Sequence, residues 1–546
     1  MYFPIFFLAA AASFTLADMT YKSRPDLNPI KLNITIPCDD LCEPGYLFVA
    51  PFSGTGVEAP PKGPAQQGAY IIRNDGDLVW DGYTYFSPWT GNFQAARWNG
   101  SDIIFAFEGS HNGLHGHGHG RHVLLNQNYE VIRSLRAGGH FISDKHEFII
   151  INEKTALFQI YQPLQMDLSS YGGDVDQTWI VDAIFQEVDI ESGCVLFEWR
   201  SLDFVTPNET SLPLPLGQAG SGTHSTTAWD YFHINSITKG DDGHYLLSAR
   251  HASTIYKING TDGSIIWRLG GTKSDFVLGQ DVPFGFQHHA RYLPAINAST
   301  EVISLFDNSF YGSESAGGGD KAIRLHPFSR GKYIALNHES GLATLLTAFH
   351  PPKNSILSKS QGSLQTLPGG GALLNWGSEG QLTEYTSKGD IAFHAGFGDG
   401  PLGEMEQHNY RAFRYNWTGI SAETPAVYAE EVDAGTAILY VSWNGDTRTS
   451  RWRFSWKEEL ESHPGQVQVK NQETRRTGFE TSLTIQSRGA SISQVVAEAL
   501  DVHDNILARS DPVSIAIALP KAAEGHQKTS ELQRVEQGTG IVFQEL

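Results

Sequence analysis

Cysteine is scarce, three in 546 residues, so the chain holds at most one internal disulfide. Neither a disulfide-dense scaffold nor a cysteine-built zinc site fits. Charge is thin too: Asp, Glu, Lys and Arg make up 18% of the chain, with a net charge of −21. That excludes a general binder of phosphate backbones, and no nucleic acid partner is expected. Beyond the first residues no apolar run reaches membrane-spanning length. What the chain does have is 56 glycines and 11% aromatic residues, scattered rather than in blocks, which suits short strands joined by tight turns. At roughly 150 residues per domain, the length implies three or four units, or one large β-domain with an appendage.

The opening MYFPIFFLAAAASFTLA reads as a signal peptide over residues 1–17, cut after Ala17 and followed by an N-terminal segment, 18–67. Its n-region lacks a positive charge, which leaves a membrane anchor as the alternative. The expectation is secretion, or residence in the secretory-pathway lumen, with no stable membrane insertion once the signal is removed. Sequons at Asn33, Asn99, Asn208, Asn259, Asn297 and Asn416 fit a glycoprotein. Cys38 and Cys42, close together in PCDDLCEPG, are the pair expected to bridge, while Cys194 reads as a buried thiol in an apolar strand.

Repetition organises the middle of the chain. A polar turn followed by an apolar run recurs as NDGDLVW around Gly76, NQNYEVI around Asn128, ESGCVLFEW around Gly193, TDGSIIW around Gly263, SRGKYIAL around Gly331 and SKGDIAF around Gly389. The interval is roughly 50 to 70 residues, the length of a propeller blade. The stretch HINSITKGDDGHYLLSARHASTIYKINGTDGSIIWRL reads as four antiparallel strands with three turns. The expected fold is all-β: a six-bladed β-propeller over 68–420, then a β-sandwich of immunoglobulin or fibronectin type over 421–518, and a polar flexible tail, 519–546. An irregular β-sandwich is the alternative for the first part.

In a propeller the first strand of each blade lines the central channel. Three histidine positions fall at such strand starts: His146 in DKHEFIII, His233 in YFHINSI, and His288 with His289 in FQHHARYL. The second strands are expected to end at Gln159, Arg250 and Asp307-Asn308, returning to the same face. Together these make a channel pocket of imidazoles, a guanidinium and amides that takes a small aromatic or phenolic substrate. A structural role is the ordinary reading for any single histidine, but three in phase argue for a site. Trp376, His289 and Asn308 are the expected substrate contacts.

The segments DYFHINSI, LLSARHASTIYKI, FGFQHHARYLP, LFDNS, SQGSLQTLPGGGALLNWGSEGQLTEY and SWNGDT resemble those of fungal arylsulfotransferase-type proteins. That similarity spans about Pro44 to Ser514, and a shorter one at motif level extends to bacterial aryl-sulfate sulfotransferases. The resemblance implies a channel that binds an aryl sulfate, moves its sulfuryl group to an enzyme histidine and passes it to a phenol, with no nucleotide donor and no cofactor. Carried over by position, His233 and Asn235 match the family's His-x-Asn strand and Arg250 the arginine that follows. His288 matches the nucleophile, with His289 the alternative register, and His146 matches a further channel histidine more loosely. A neutral imidazole attacks sulfur and leaves as a cation, which divides one hard transfer into two. A guanidinium with imidazole and amide donors stabilises the sulfuryl oxygens, and His146 or His233 is the expected base for the phenol.

A second cluster, HNGLHGHGHGRH with His111, His115, His117, His119 and His122, reads either as a loose metal site or as a flexible channel-mouth loop whose glycines admit a ligand. The loop is preferred, and no metal is expected. Two other functions compete with sulfuryl transfer: an enzyme of secondary metabolism that reuses the channel for cyclase or isomerase chemistry, and a non-catalytic binding propeller.

Overall fold

The computed structural model describes residues 19–517 apart from 54–63, 65, 87–88, 113–114, 215–216, 218, 312–322, 399–406, 461, 464 and 488–489. The signal-peptide and tail assignments therefore lie outside the described residues. The described chain is all-β, with a few single-turn helices.

Six sheets follow one another, each four antiparallel strands in a meander. The second consists of Trp89–Trp98, Ser101–His111, Gly118–Leu125 and Val131–Leu135, and the third of Phe148–Ile151, Thr155–Gln165, Trp179–Asp189 and Val195–Arg200. The fourth is Ile234–Lys239, Tyr245–Ala249, Thr254–Ile258 and Ile265–Gly270, the four strands and three turns that the sequence spells out. The fifth is His288–Asn297, Thr300–Asp307, Arg330–Asn337 and Leu342–Phe349, with Val277–Leu278 added in parallel at its edge. The sixth is Ser363–Thr366, Ala372–Asn375, Gln381–Tyr385 and Ile391–Phe397, edged by Leu32–Ile36. In the first sheet, Tyr46–Val49, Tyr70–Ile72 and Leu78–Asp81 are completed by Phe413–Tyr415 from the far end of the repeats.

Strand alternation decides how the sheets pack. Tyr245, Leu247 and Ala249 point into an apolar cluster shared with the third sheet, whereas Leu246 points into one shared with the fifth. Each sheet is buried on both faces, so its central strands read as near-continuous apolar runs rather than as alternation. Clusters of this kind lie between the first and second, second and third, fifth and sixth, and again sixth and first sheets. The packing thus returns to its starting point.

The repeated turns join the third and fourth strands of five sheets, at Gly76, Asn128, Gly193, Gly263 and Gly389. In the fifth sheet the expected register fails. Gly331 lies inside Arg330–Asn337, and the equivalent turn is at Gly341, whose φ is +65°. A Cβ on Gly331 would sit 2.9 Å from the Leu374 side chain, so glycine there serves the close approach of two sheets and not a turn. Thr155–Gln165 also runs past Gln159, which sits in mid-strand.

After Trp417 two further sheets share one core built on Leu439, Val441, Trp452, Phe454, Val495 and Ala497. One holds Ala426–Asp433, Thr436–Ser442 and Glu480–Gln486, the other Arg451–Leu460, Val467–Arg475 and Ala490–Leu500. The SWNGDT segment docks this unit: Asn444 exchanges hydrogen bonds with the backbone of Asp81 at 2.8 and 3.0 Å, and Tyr129 donates to Gly445 O at 2.8 Å.

Cys38 and Cys42 are joined in a disulfide with Cα atoms 5.7 Å apart. Cys194 is exposed, not buried, because it closes the polar turn before Val195–Arg200, where its N–H meets Ser192 Oγ. Of the sequons, Asn99, Asn208, Asn297 and Asn416 are exposed, and Asn33 and Asn259 are half-buried.

Candidate active site

The first strands of the sheets converge on Arg411, which follows Gln407–Asn409. Its guanidinium donates to Glu147 Oε1 at 2.7 Å, to Asn235 O at 2.8 Å and to Asn92 Oδ1 at 3.3 Å, and Arg291 donates to Glu147 Oε2 at 2.7 Å. Asn92, Glu147, Asn235 and Arg291 come from the starts of the second, third, fourth and fifth sheets. Three of these starts carry a break in pairing register, between Gly91 and Gln94, Ile234 and Ser236, and His288 and Arg291. Such bulges re-aim side chains. Strain collects beside them: Asn92, His233, His289 and Gln361 all adopt positive φ, a conformation costing a non-glycine residue of the order of 1 kcal/mol or more.

Beside this buried ion cluster the imidazoles gather. His146 and His233 face each other edge to face with ring centroids 5.0 Å apart, Tyr161 lies 5.6 and 5.3 Å from them, and Tyr410 lies 5.3 Å from His146 and 6.5 Å from His288. Each of the first two histidines is oriented by an aspartate. His146 Nδ1 donates to Asp144 Oδ1 at 2.5 Å, and His233 Nδ1 to Asp230 Oδ2 at 2.5 Å. Since a carboxylate only accepts, both rings keep the proton on Nδ1 and turn a bare Nε2 outward. Burial lowers His146 to about 4 and His233 to about 3, so both rings are neutral at neutral pH. Burial alone would raise Asp144 and Asp230, but the histidines beside them hold both below the usual carboxylate range.

His288 is oriented differently. Asn308 Nδ2 donates to Ser358 O and Gln361 O, both at 3.0 Å, which turns Asn308 Oδ1 to accept from His288 Nδ1 at 2.8 Å. His288 Nε2 therefore carries the lone pair, and the Gln361 N–H reaches it at 3.2 Å. Burial, then the Arg250 cation, hold His288 well below its ordinary range, with smaller effects from His146 and His233. Arg250 lies with its guanidinium 4.0 Å over the Phe286 ring, donating to His251 Nε2 at 2.9 Å and to Lys359 O at 3.2 Å. Burial brings it down to about 9, still a cation at neutral pH.

Of the residues expected here, His146, His233, Arg250, His288 and Asn308 are brought together. Three are placed elsewhere. The Asn235 amide donates to Gln287 O at 2.6 Å and so ties the fourth sheet to the fifth. His289, one residue on from His288 and beyond the bulge, points to Leu364 O at 3.0 Å and the Phe413 ring. Trp376 is fully buried between the fifth and sixth sheets, against Phe306, and donates to Thr383 Oγ1 at 2.8 Å, so it is a core residue and no substrate contact.

The His-Gly stretch is largely a β-hairpin, with Ser101–His111 paired to Gly118–Leu125, in place of the expected flexible loop. Its glycines admit neighbouring chain rather than a ligand: a Cβ on Gly120 would lie 2.1 Å from Glu108 O, and one on Gly118 3.1 Å from Lys145. His122 is buried against Phe148. His117 reaches the imidazole cluster, stacked on Tyr161 at 3.9 Å and donating to Asp230 Oδ2 at 2.8 Å. His117, Asp230 and His233 offer three ligand atoms within 4.8 Å of one another, the residues best placed to hold a metal ion among those described.

Several contributors were not singled out from the sequence. Asp144 and Asp230 were legible, since both stand two or three residues before an in-phase histidine; His251 adjoins Arg250. Tyr410 and Gln361 come from distant segments and had no local signal.

A family model described as arylsulfotransferase (ASST) matches residues 94–398. No curated protein matches the chain. Among solved structures, a protein of unknown function from Bacteroides caccae is 12% identical, covering 68% of this chain and 98% of that one, with a TM-score of 0.35. A catalytically inactive virginiamycin B lyase from Staphylococcus aureus with quinupristin is 10% identical, covering 55% and 83%, with a TM-score of 0.28. A GH43 protein from Bacillus licheniformis is 8% identical, covering 78% and 89%, with a TM-score of 0.28. TM-scores this low carry no argument about fold or chemistry.

Proposed function

The chain belongs to the arylsulfotransferase (ASST) family, and from that premise we propose that it moves a sulfuryl group from an aryl sulfate to a phenolic acceptor by way of His288. The six packed sheets are read as the blades of a propeller with the imidazole cluster in its channel, and the last two sheets as a β-sandwich. The observation that carries the reading is the tautomer of His288. Asn308 holds the proton on Nδ1, burial keeps the ring neutral, and Nε2 is left as a nucleophile beside the Arg250 cation.

Attack of Nε2 on sulfur forms the S–N bond as the S–O bond to the aryl oxide breaks, and charge spreads over the sulfuryl oxygens. Arg250 is the donor beside them, and the Gln361 N–H, which rests on Nε2, must leave that lone pair before it attacks and then becomes a second donor. His146 and His233 expose acceptor nitrogens, so they can accept a hydrogen bond but cannot donate one to the sulfuryl oxygens. The acceptor oxygen then attacks sulfur and His288 is released. This chemistry needs no nucleotide sulfate and no cofactor. Secretion and glycosylation belong to the same reading, the latter resting on the exposed sequons.

The test is incubation with a chromogenic aryl sulfate, without and then with a phenol. The expected result is a burst of released phenol, a sulfated peptide containing His288 by mass spectrometry, and loss of both in a folded His288→Ala variant. A sulfated peptide at His289 would move the nucleophile by one residue. Turnover of wild type without any sulfohistidine would overturn the reading.

A further inference from the structure

Burial keeps His146, His233, His251 and His288 neutral, so none of these four can protonate a departing aryl oxide, and among the described residues a buried amine borders the same site. Lys145 stands between Asp144 and His146 and is 4% exposed. Its Nζ lies 4.7 Å from the Trp89 ring centroid and 5.7 Å from that of Tyr410, the ring that also borders His146 and His288. It donates to His111 Nδ1 at 2.7 Å, one of the three N–H bonds an ammonium carries. The charged or titratable groups facing it are His111 from the second sheet, Asp144 and His146 on its own segment, and His408 from the strand beside Arg411.

The surroundings are aromatic. His111 stacks on Trp89 at 4.9 Å, and Phe52 packs edge to face on Trp89, His111 and His408. Trp89, His111, His408 and Gln361 are half-buried, while Lys145 beneath them is buried. Gln361 links this patch to the proposed nucleophile, its Nε2 donating to His408 Nδ1 at 3.0 Å while its backbone N–H reaches His288 Nε2. Aromatic faces over a buried ammonium, one residue away from the transfer site, are the chemistry that recognises an aryl ring bearing an anionic oxygen.

We propose that Lys145, in its box of Phe52, Trp89, His111, His408 and Tyr410, binds the aryl oxygen of donor and acceptor and is the general acid and base of the transfer. This rests on the sulfuryl-transfer reading above. In the first half-reaction Lys145 gives a proton to the aryl oxide as the S–O bond breaks, leaving phenol, an uncharged amine and sulfated His288. In the second, the acceptor phenol's oxygen attacks sulfur, its proton passes to the Lys145 amine, and the S–N bond breaks. Protons and charge balance over the cycle, with no other reactant. Burial supports the assignment by bringing the Lys145 ammonium down to about 7, with Asp144 acting weakly against it, which suits a group that must both give and take a proton near neutrality.

The experiment compares wild type with Lys145→Met and Lys145→Arg on two aryl sulfates, one releasing a phenol with an ordinary pKa of about 10 and one releasing a strongly acidic nitrophenol. The expected result is a loss of 10²- to 10⁴-fold for the poor leaving group and a loss of less than about tenfold for the good one, because a stable aryl oxide needs no proton. Lys145→Arg, which keeps charge but cannot exchange a proton, should restore KM and not kcat for the poor donor. Equal losses on both donors in variants that still form sulfohistidine would overturn the role of Lys145 and leave His288 standing. Absence of sulfohistidine from wild type would overturn the underlying reading instead.

Discussion

Replacing Arg250 by lysine separates sulfuryl transfer from acid-base chemistry on the same scaffold. The guanidinium is fixed on three sides, by the Phe286 ring at 4.0 Å, His251 Nε2 at 2.9 Å and Lys359 O at 3.2 Å. A planar fork can meet two sulfuryl oxygens at once with parallel N–H bonds, whereas an ammonium offers one charge and no fork. Losing one such bidentate, charge-assisted pair in the transition state corresponds to about 2–3 kcal/mol, or roughly 30- to 150-fold in kcat/KM. The burial that brings the guanidinium to about 9 would carry a lysine nearer to neutrality, so the deficit should grow as pH rises. The assay is kcat/KM for an aryl sulfate and phenol across pH, with the thermal midpoint as control. A folded Arg250→Lys enzyme within a few-fold of wild type, at every pH, would refute the clamp. If sulfohistidine were missing as well, acid-base chemistry of the cyclase or isomerase type would become the better reading.

Other consequences concern stability. Glu147 is fully buried between Arg411 and Arg291, so Glu147→Gln should leave two cations uncompensated and cost about 3–5 kcal/mol by denaturant unfolding; a loss under 1 kcal/mol would show that the cluster is solvated. His122 is 0% exposed with neither ring nitrogen hydrogen-bonded, and burial lowers it to about 3. Because the unfolded chain then takes up its proton first, near 6.5, stability falls as pH drops from there towards 3, by on the order of 1 kcal/mol per unit for this residue. His122→Phe should therefore be neutral or stabilising at pH 7 and should flatten that acid limb, as pH-dependent unfolding midpoints would show. Trp376→Ala should lower stability by about 3–5 kcal/mol while leaving KM for aryl sulfates unchanged below its melting range; a raised KM would return Trp376 to the site.

Local pattern was enough for much of this molecule. Apolar runs punctuated by Gly and Asn turns specify strands and hairpins because backbone sterics and burial act over a few residues, and the fourth sheet could be read strand by strand. The same holds for the Asp-Lys-His and Asp-Tyr-Phe-His segments, where carboxylate and imidazole are close in the chain before any folding. Identical local signals can nevertheless answer different demands. Gly331 looks like a turn glycine, yet it exists so that the Leu374 side chain can approach, a requirement set by the next sheet. His288 and His289 are indistinguishable in FQHHARYL. The bulge after His288 sends one ring to Asn308 and the other to Leu364, and these partners, which fix where each imidazole points, lie 20 and 75 residues away. Tyr410, Gln361 and the aromatic box above Lys145 were likewise settled only by tertiary packing, because six separately legible sheets must meet before segments far apart in the chain can share one ring, one proton or one charge.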